Sequence, residues 1–257
     1  MIKKIGIAIT ILLICGLAIN VGYSQAYLIT IENAGFEEGP VLGVGEYTEP
    51  IWDDDGNLLE APVIPGWDIY YTSPLQKDRV WYGTWHVDTD PDGDADYTSG
   101  VPQETHVGYL ETDPRWDGII GFSQTLSDTL LADTMYTFGV HVGNTSGRGY
   151  VGFPGFRMEL LAGDQVLASL EDIDCPEENT FAPYTLSFIA SSDHDMLGQA
   201  LVIRLSNLNG GEGYEIDLDN VWGEANPVPA PEPASMLLLG LGLFGLAGLT
   251  GLNKRKK

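Results

Sequence analysis

Hydrophobic and polar residues alternate in short runs along most of the chain between Leu28 and Trp222. In Thr134–Asn144 large residues occupy every second position, which is typical of a strand with one buried face. Turns rich in Gly, Asp and Asn separate these runs, and no sustained helical periodicity lies between the two ends of the chain. The pattern predicts an all-β fold of roughly ten strands, a sandwich or jelly roll. The predicted strands are Leu28–Glu32, a strand after the turn at Ile64–Gly66, His106–Glu111, Ile119–Leu126, Thr134–Asn144, Phe156–Leu161, Gln165–Leu170, Tyr184–Ser191, Ala200–Asn207 and Tyr214–Trp222.

The first 26 residues have the pattern of a signal peptide. Lys3 and Lys4 precede an apolar run, Ile5–Ile19, and small residues stand at Ser24 and Ala26. This order predicts export and cleavage by signal peptidase after Ala26, so that the sandwich domain spans residues 27–225. An uncleaved membrane helix is the alternative.

The chain ends in three segments of different character. Residues 226–233 form a proline-rich linker, residues 234–252 are apolar and uncharged, and residues 253–257 are basic. The apolar run is long enough to predict a transmembrane helix, and the basic end is expected on the cytoplasmic side. The tail resembles the PEP-CTERM sorting signal, which implies exosortase as a partner and a final place at the cell surface or in the extracellular matrix. The residues that match its motif are Pro231, Glu232 and Pro233. An ordinary single-pass anchor is the alternative.

Charge is distributed very unevenly over the segment between these two ends. It holds six of the 12 Lys and Arg residues and all but one of the 37 Asp and Glu residues. Such a surface repels phosphates, which argues against a nucleic-acid partner and favours divalent cations or neutral ligands. Its single cysteine, Cys175, excludes a disulfide within the exported segment.

Two motifs near the ends of the domain suggest a calcium site. Asn33–Glu37 with Pro65–Trp67, and the closing Glu215–Val221, resemble jelly-roll carbohydrate-binding and galactose-binding-like modules. The resemblance implies a jelly-roll sandwich in which Glu37 and Asp219 hold a structural calcium ion. The alternative for Glu37 is a surface residue after a buried Phe36.

A second calcium site is predicted in an aspartate-rich loop that follows the D-x-D-x-D-G-x-x-D pattern. Its alternate carboxylates can converge on one cation, and Gly93 permits the sharp turn. The predicted ligands are Asp88, Asp90, Asp92 and Asp96. A solvated acidic loop is the alternative.

Several motifs spread over the domain resemble the Stig cyclases, which fold as calcium-binding jelly rolls and cyclise indole-isonitrile terpenoids. The motifs are Asn144, Gly152–Phe156, Glu159–Asp164, Leu197–Gln199, Ile203–Leu205 and Asp217–Val221. The resemblance implies a proton-donating aspartate near the last strand, which is Asp217 or, second, Asp219. It also implies that Tyr109 and Phe153 line a pocket. The sorting tail and the stretch Trp81–Gly100 depart from that pattern, which favours a shared scaffold without the cyclase chemistry.

Aromatic residues predict a ligand surface. Trp81, Tyr82 and Trp85 lie in a stretch that looks like a loop, where a core role is harder to assign, and Tyr109 is a further candidate. Exposed aromatic rings pack against sugar rings, so the leading hypothesis is a calcium-stabilised module that binds a polysaccharide. The alternatives are a cyclase with Asp217 as general acid and a matrix protein without a ligand. A closed cavity around a buried Asp217 favours the cyclase, whereas an open aromatic platform favours the sugar.

Overall fold

The computed structural model describes residues 25–88, 96–97, 100–145, 152–171, 176–210 and 214–228. The chain divides into one compact unit, Ala26–Asn226, and a second that combines Met1–Gln25 with Pro227–Lys257. Nearly all of the second unit lies outside the described residues, including positions 1–24 of the predicted signal peptide, the predicted transmembrane helix and the motif residues Pro231, Glu232 and Pro233. Within the described ranges, no helix has the length and hydropathy needed to cross a bilayer.

The described part of the chain contains thirteen strands and confirms the predicted all-β sandwich. The strands are β1 (Tyr27–Ile29), β2 (Ile51–Trp52), β3 (Leu58–Glu60), β4 (Asp68–Tyr71), β5 (Val80–His86), β6 (His106–Thr112), β7 (Ile120–Thr129), β8 (Thr134–Asn144), β9 (Phe156–Ala162), β10 (Gln165–Glu171), β11 (Thr180–Ala190), β12 (Ala200–Asn207) and β13 (Glu215–Pro227).

Two sheets and one hairpin organise these strands. A six-stranded sheet has the order β11-β8-β13-β6-β5, with β1 also paired to β13. A five-stranded sheet has the order β10-β9-β12-β7-β4, and β2 with β3 forms a separate hairpin. The inner faces of the two sheets supply one hydrophobic core, because alternate residues of each strand point inward. Its fully buried members include Val80, Leu110, Phe122, Phe138, Ile203, Leu205, Ile216 and Leu218.

The segment after β1 is held against the core by aromatic packing. Phe36 stacks on Trp67 with ring centroids 5.3 Å apart, and the Trp67 indole donates to the carbonyl of Asn33 at 3.1 Å. The amide of Val221 on β13 donates to the carbonyl of Ala34 at 2.8 Å. The start of the domain is therefore joined to its last strand.

The outer face of the five-stranded sheet is covered by its own charged side chains. Arg204 reaches across the strand that carries Gly121 and places its guanidinium 3.8 Å from the Tyr70 ring centre. It also donates to Glu159 at 3.1 Å. The Arg204 guanidinium on this face therefore binds neighbouring side chains of the same sheet. The buried carboxyl groups of the candidate site lie on the other sheet.

The stretch Trp81–Trp85, interpreted from the sequence as a loop, is part of strand β5. Tyr82 is buried in the main core, whereas Trp85 is buried in a second cluster on the opposite face of the same sheet. Because both faces of β5 are covered, its sequence lacks the polar positions by which a half-exposed strand is recognised.

Candidate functional site

Three acidic residues of β13 point to the outer face of the six-stranded sheet. Glu215, Asp217 and Asp219 alternate with the core residues Ile216 and Leu218. Their side chains are 3 %, 0 % and 0 % exposed. Burial of carboxyl groups is costly unless they are protonated, hydrogen-bonded or bound to a cation. The outer face of β13 is therefore the candidate functional site.

An aromatic cluster covers these acids. The strand register sets Asp217 opposite Tyr109 and Glu215 opposite Glu111. Residues opposed in this way share one face of the sheet. The cluster consists of Trp85, Val87, Tyr97, Val107 and Tyr109, with Trp81, Val101 and Phe181 packed against it. Asp217 therefore lies in a closed, largely aromatic environment.

Tyr97 makes the central polar contact of the site. Its hydroxyl donates to Asp217 Oδ2 at 2.5 Å, and its ring lies 4.4 Å from that of Phe181. Burial, followed by the negative charge of Asp217, raises the pKa of Tyr97 well above its ordinary value. Tyr97 therefore keeps its proton at neutral pH and acts as a fixed hydrogen-bond donor to the acid.

Tyr109 is held by the loop above it. Its hydroxyl donates to the carbonyl of Thr48 at 2.6 Å. Burial is the main cause that raises its pKa, and the nearby carboxyls of Glu215, Glu49 and Glu111 add to it. Tyr109 therefore lines the site with its ring, while its hydroxyl is already hydrogen-bonded to Thr48.

The residues predicted to form the site come together only in part. Trp81, Trp85 and Tyr109 surround the face that carries Asp217. Tyr82 and Phe153 instead pack with the main core. Tyr97, which was not among the predicted site residues, lies 120 positions from Asp217 in the sequence.

Glu37 and Asp219 both bind the segment just before β6. Glu37 Oε1 accepts the amides of Thr105 and His106 at 2.8 Å each, and its Oε2 lies 2.7 Å from His106 Nδ1. Asp219 Oδ2 accepts the amide of Gln103 at 2.7 Å. The two predicted calcium ligands therefore meet at one segment.

The electrostatics of Asp219 suit a cation. Its burial is the main cause that raises its pKa to about 7, and the negative charge of Glu37 adds to the effect. Hydrogen bonds from Gln103 and Asn220 oppose it. Carboxylate oxygens are the donors that calcium prefers, so the two residues fit as partial ligands. Among the described residues, however, no group of three or more His, Cys, Asp or Glu side chains could hold a metal ion.

The ends of the aspartate-rich loop are joined to each other. The amide of Asp96 donates to the carbonyl of Asp88 at 3.0 Å, and the amide of Asp88 donates to Asp96 Oδ2 at 3.1 Å. Asp90 and Asp92 lie outside the described residues. The second calcium site stays a prediction.

Comparison with known families gives two matches. The model described as HpiC1 cyclase matches residues 27–222, and the PEP-CTERM protein-sorting motif matches residues 229–255. No curated protein sequence matches the chain. The resemblances to the Stig cyclases and to the PEP-CTERM sorting signal are thus confirmed.

Similar solved structures include two cyclase complexes. The Stig cyclase Fisc from Fischerella sp. TAU, in complex with (3Z)-3-(1-methyl-2-pyrrolidinylidene)-3H-indole, is 33% identical over 80% of this chain and 100% of that chain, with a TM-score of 0.67. A cyclase from Fischerella sp. TAU in complex with 4-(1H-indol-3-yl)butan-2-one is 32% identical over 79% of this chain and 100% of that chain, with a TM-score of 0.65. The CBM22-1 xylan-binding domain of Xyn10C from Paenibacillus barcinonensis is 12% identical over 80% and 99% of the two chains, with a TM-score of 0.38.

Proposed function

The chain belongs to the HpiC1-like cyclase family, and on that premise we propose that it is an exported, acid-catalysed cyclase. Its substrate class is an indole ring attached to an unsaturated terpene chain. The observation that carries the proposal is the buried Asp217, hydrogen-bonded to Tyr97 inside the aromatic cluster.

Each group has a defined part in the proposed reaction. Asp217 transfers a proton to a carbon–carbon double bond of the substrate, which creates a carbocation that the second double bond or the indole attacks. The cyclised cation then loses a C–H proton, whose electron pair restores a double bond, and this proton returns to the Asp217 carboxylate, so the reaction is an isomerisation. The Tyr97 hydroxyl stabilises the carboxylate left on Asp217. The faces of Trp85 and Phe181 stabilise positive charge and exclude water.

The aromatic residues predicted to form a ligand surface are buried. Their burial favours a cyclase site over a sugar-binding surface in this part of the fold. Trp85 and Tyr109 are 1 % and 3 % exposed, and Tyr82 belongs to the core. A sugar-binding platform needs accessible ring faces, whereas a reactive cation needs enclosed ones.

The test is conversion of an indole-isonitrile terpenoid by the whole chain in heavy water. We expect a cyclised product with one deuterium at the carbon protonated by the enzyme. The matched control is Asp68→Asn, an exposed carboxyl on the other sheet, which should leave the rate unchanged. Absence of conversion by the intact, folded chain would overturn the proposal.

Export, sorting and calcium complete the proposal. Signal peptidase removes residues 1–26, and exosortase processes the tail whose motif is matched at residues 229–255. This order places the sandwich at the cell surface or in the extracellular matrix. A calcium ion held in part by Glu37 and Asp219 stabilises the junction between the start of the domain and β13.

Neutral carbohydrate binding is a second candidate, at a different place. An open groove of about 480 Å³ is lined by Trp52, Tyr71, Leu58, Asn57, Gly56, Pro74 and Leu75. Tyr71 is 50 % exposed, and Asn57 lines the same groove, where its Nδ2 donates to Asp53 Oδ2 at 2.8 Å. Trp52 and Tyr71 supply the ring faces on which a pyranose packs.

Glycan-array binding by the whole chain tests this groove. We expect Trp52→Ala and Tyr71→Ala each to reduce binding about tenfold, a loss of roughly 1.4 kcal/mol. Tyr27→Ala, which removes a partly exposed tyrosine on β1, is the matched control. Binding that survives both groove substitutions would rule out the groove as the sugar site.

A further inference from the structure

The proposed acid is enclosed by the protein. Asp217 and Tyr97 are both 0 % exposed, and Tyr109 beside them is 3 % exposed. A substrate therefore reaches Asp217 only after part of the surrounding chain moves. The segment that holds the Tyr109 hydroxyl, residues 45–48, is the candidate for this movement and is here called the strap.

The strap lies along β5, which stands at the end of the six-stranded sheet. The amide of Gly45 donates to the carbonyl of His86 at 2.8 Å, and the amide of Thr48 donates to the carbonyl of Thr84 at 2.9 Å. In return, the amide of Thr84 donates to the Thr48 hydroxyl at 2.9 Å instead of to a backbone carbonyl. The strap is therefore paired with the sheet less regularly than the strands are.

At Thr48 the strap lies over the outer face of the sheet. A Cβ atom at Gly83 would collide with the Thr48 carbonyl oxygen, so the absence of a side chain there permits the approach. The same oxygen accepts the Tyr109 hydroxyl at 2.6 Å. The Tyr47 ring stands edge-on to the Tyr109 ring, with centroids 6.1 Å apart. Because the strand register sets Tyr109 between Gly83 and Asp217, the strap holds the ring that lies next to the acid.

The strap buries little apolar surface of its own. Tyr47 is 44 % exposed, and Gly45 and Glu46 are exposed as well. In contrast, Leu110 of β6 and Ile216 of β13 are completely buried. Segments with few buried apolar contacts and exposed backbone hydrogen bonds open locally at a low cost in free energy. The strap is therefore expected to open while the β6–β13 ladder that carries Asp217 stays closed.

We propose that the strap is the gate of this site, and that its release from Tyr109 admits the substrate to Asp217. The inference rests on the proposed cyclase function. Release breaks the hydrogen bond between Tyr109 and Thr48, which leaves the Tyr109 ring able to turn away from the acid. When the strap closes again, Tyr47 and Tyr109 exclude water from the carbocation.

The experiment locks the strap to β5 with a disulfide. The hydroxyl oxygens of Thr48 and Thr84 lie 3.5 Å apart, so Thr48→Cys with Thr84→Cys brings two sulfur atoms close together. We expect oxidation of this pair, verified by mass spectrometry, to lower kcat/KM for an indole-isonitrile terpenoid at least about tenfold, and reduction to restore it. Thr137→Cys with Ser187→Cys is the matched control, because these hydroxyl oxygens lie 3.3 Å apart on β8 and β11 of the same sheet. Its oxidation should leave kcat/KM unchanged.

Binding of 4-(1H-indol-3-yl)butan-2-one separates the gate from the cyclase function. If wild type binds this probe without converting the terpenoid, the cyclase function fails, while slower association of the probe with the oxidised Thr48–Thr84 pair still supports the gate. Equal association rates for the oxidised and reduced forms would overturn the gate alone. If wild type neither binds the probe nor converts the terpenoid, both proposals fall.

Hydrogen exchange of the unmodified chain tests the gate without any disulfide. The amides of Gly45 and Thr48 should exchange at least about tenfold faster than those of the β6–β13 ladder. Protection of the strap equal to that of the ladder would overturn the inference.

Discussion

Asp217→Asn is expected to lower kcat for cyclisation about 1000-fold, the range found when a positioned general acid is lost. Asparagine has nearly the same shape as aspartate and keeps an oxygen that accepts the Tyr97 hydrogen bond. It has no proton of suitable acidity to give to a carbon–carbon double bond. The loss should therefore appear in kcat, with little change in KM, because substrate contacts are retained.

Tyr97→Phe is the companion to this prediction. It removes the hydrogen bond to Asp217 but leaves the ring that packs on Phe181, so we expect a smaller loss, on the order of tenfold, from one charge-assisted hydrogen bond. Rates of substrate loss and circular dichroism of each variant are the measurements. A folded Asp217→Asn variant with wild-type kcat would exclude Asp217 as the acid. The next residue to test would then be Asp219, which the family resemblance left as the second choice.

Asp219→Asn is expected to change the stability of the domain in opposite directions with and without calcium. The pKa of Asp219 is raised to about 7, mainly by burial. The folded state therefore binds this proton more tightly than the unfolded state. Stability from this group is complete below pH 4 and is lost as the pH rises towards 7, by up to about 4 kcal/mol. Asparagine at this position has no carboxyl group to ionise, so the variant does not lose this stability as the pH rises.

The measurement is urea unfolding at pH 8, in EDTA and in millimolar calcium. In EDTA we expect Asp219→Asn to be more stable than wild type, because wild type buries an ionised carboxyl near Glu37. In calcium we expect the order to reverse, since only wild type supplies the charged ligand. Glu104→Gln, an exposed carboxyl in the segment that Asp219 binds, is the matched control. Identical curves for wild type in EDTA and calcium would argue against the metal site.

Local alternation was sufficient to predict the sandwich and several of its strands. Thr134–Asn144 and Ala200–Asn207 have the bounds of β8 and β12, because each buries one set of alternate residues in the core. Asp217 was predicted from the resemblance to the Stig cyclases, and its place between the core residues Ile216 and Leu218 sets its side chain on the outer face of the sheet. Within one strand, the sequence pattern determines which face a side chain takes.

Contacts between distant segments could not be predicted in this way. Tyr97 follows an aspartate-rich segment whose sequence has no alternation, and it lies 120 positions from Asp217 in the sequence. The contact of Trp222 with Gly139 depends on β8 lying beside β13, which only the strand order reveals. The β2–β3 hairpin lies in a stretch rich in Gly, Pro and Asp residues, whose sequence predicts a loop. Its strands are only two and three residues long, which is too short to show alternation.

Strand β13 ends at Pro227, and the sorting motif is matched from residue 229 onward. A force transmitted through the tail would therefore enter the sandwich at the end of the strand that carries Asp217. That strand has β8 and β6 on its two sides and β1 paired near its end. The ladder bonds run perpendicular to β13, so tension along the strand would load them together in shear instead of opening them one at a time. If the tail tethers the domain, this arrangement would keep Asp217 in register with its neighbours under such tension.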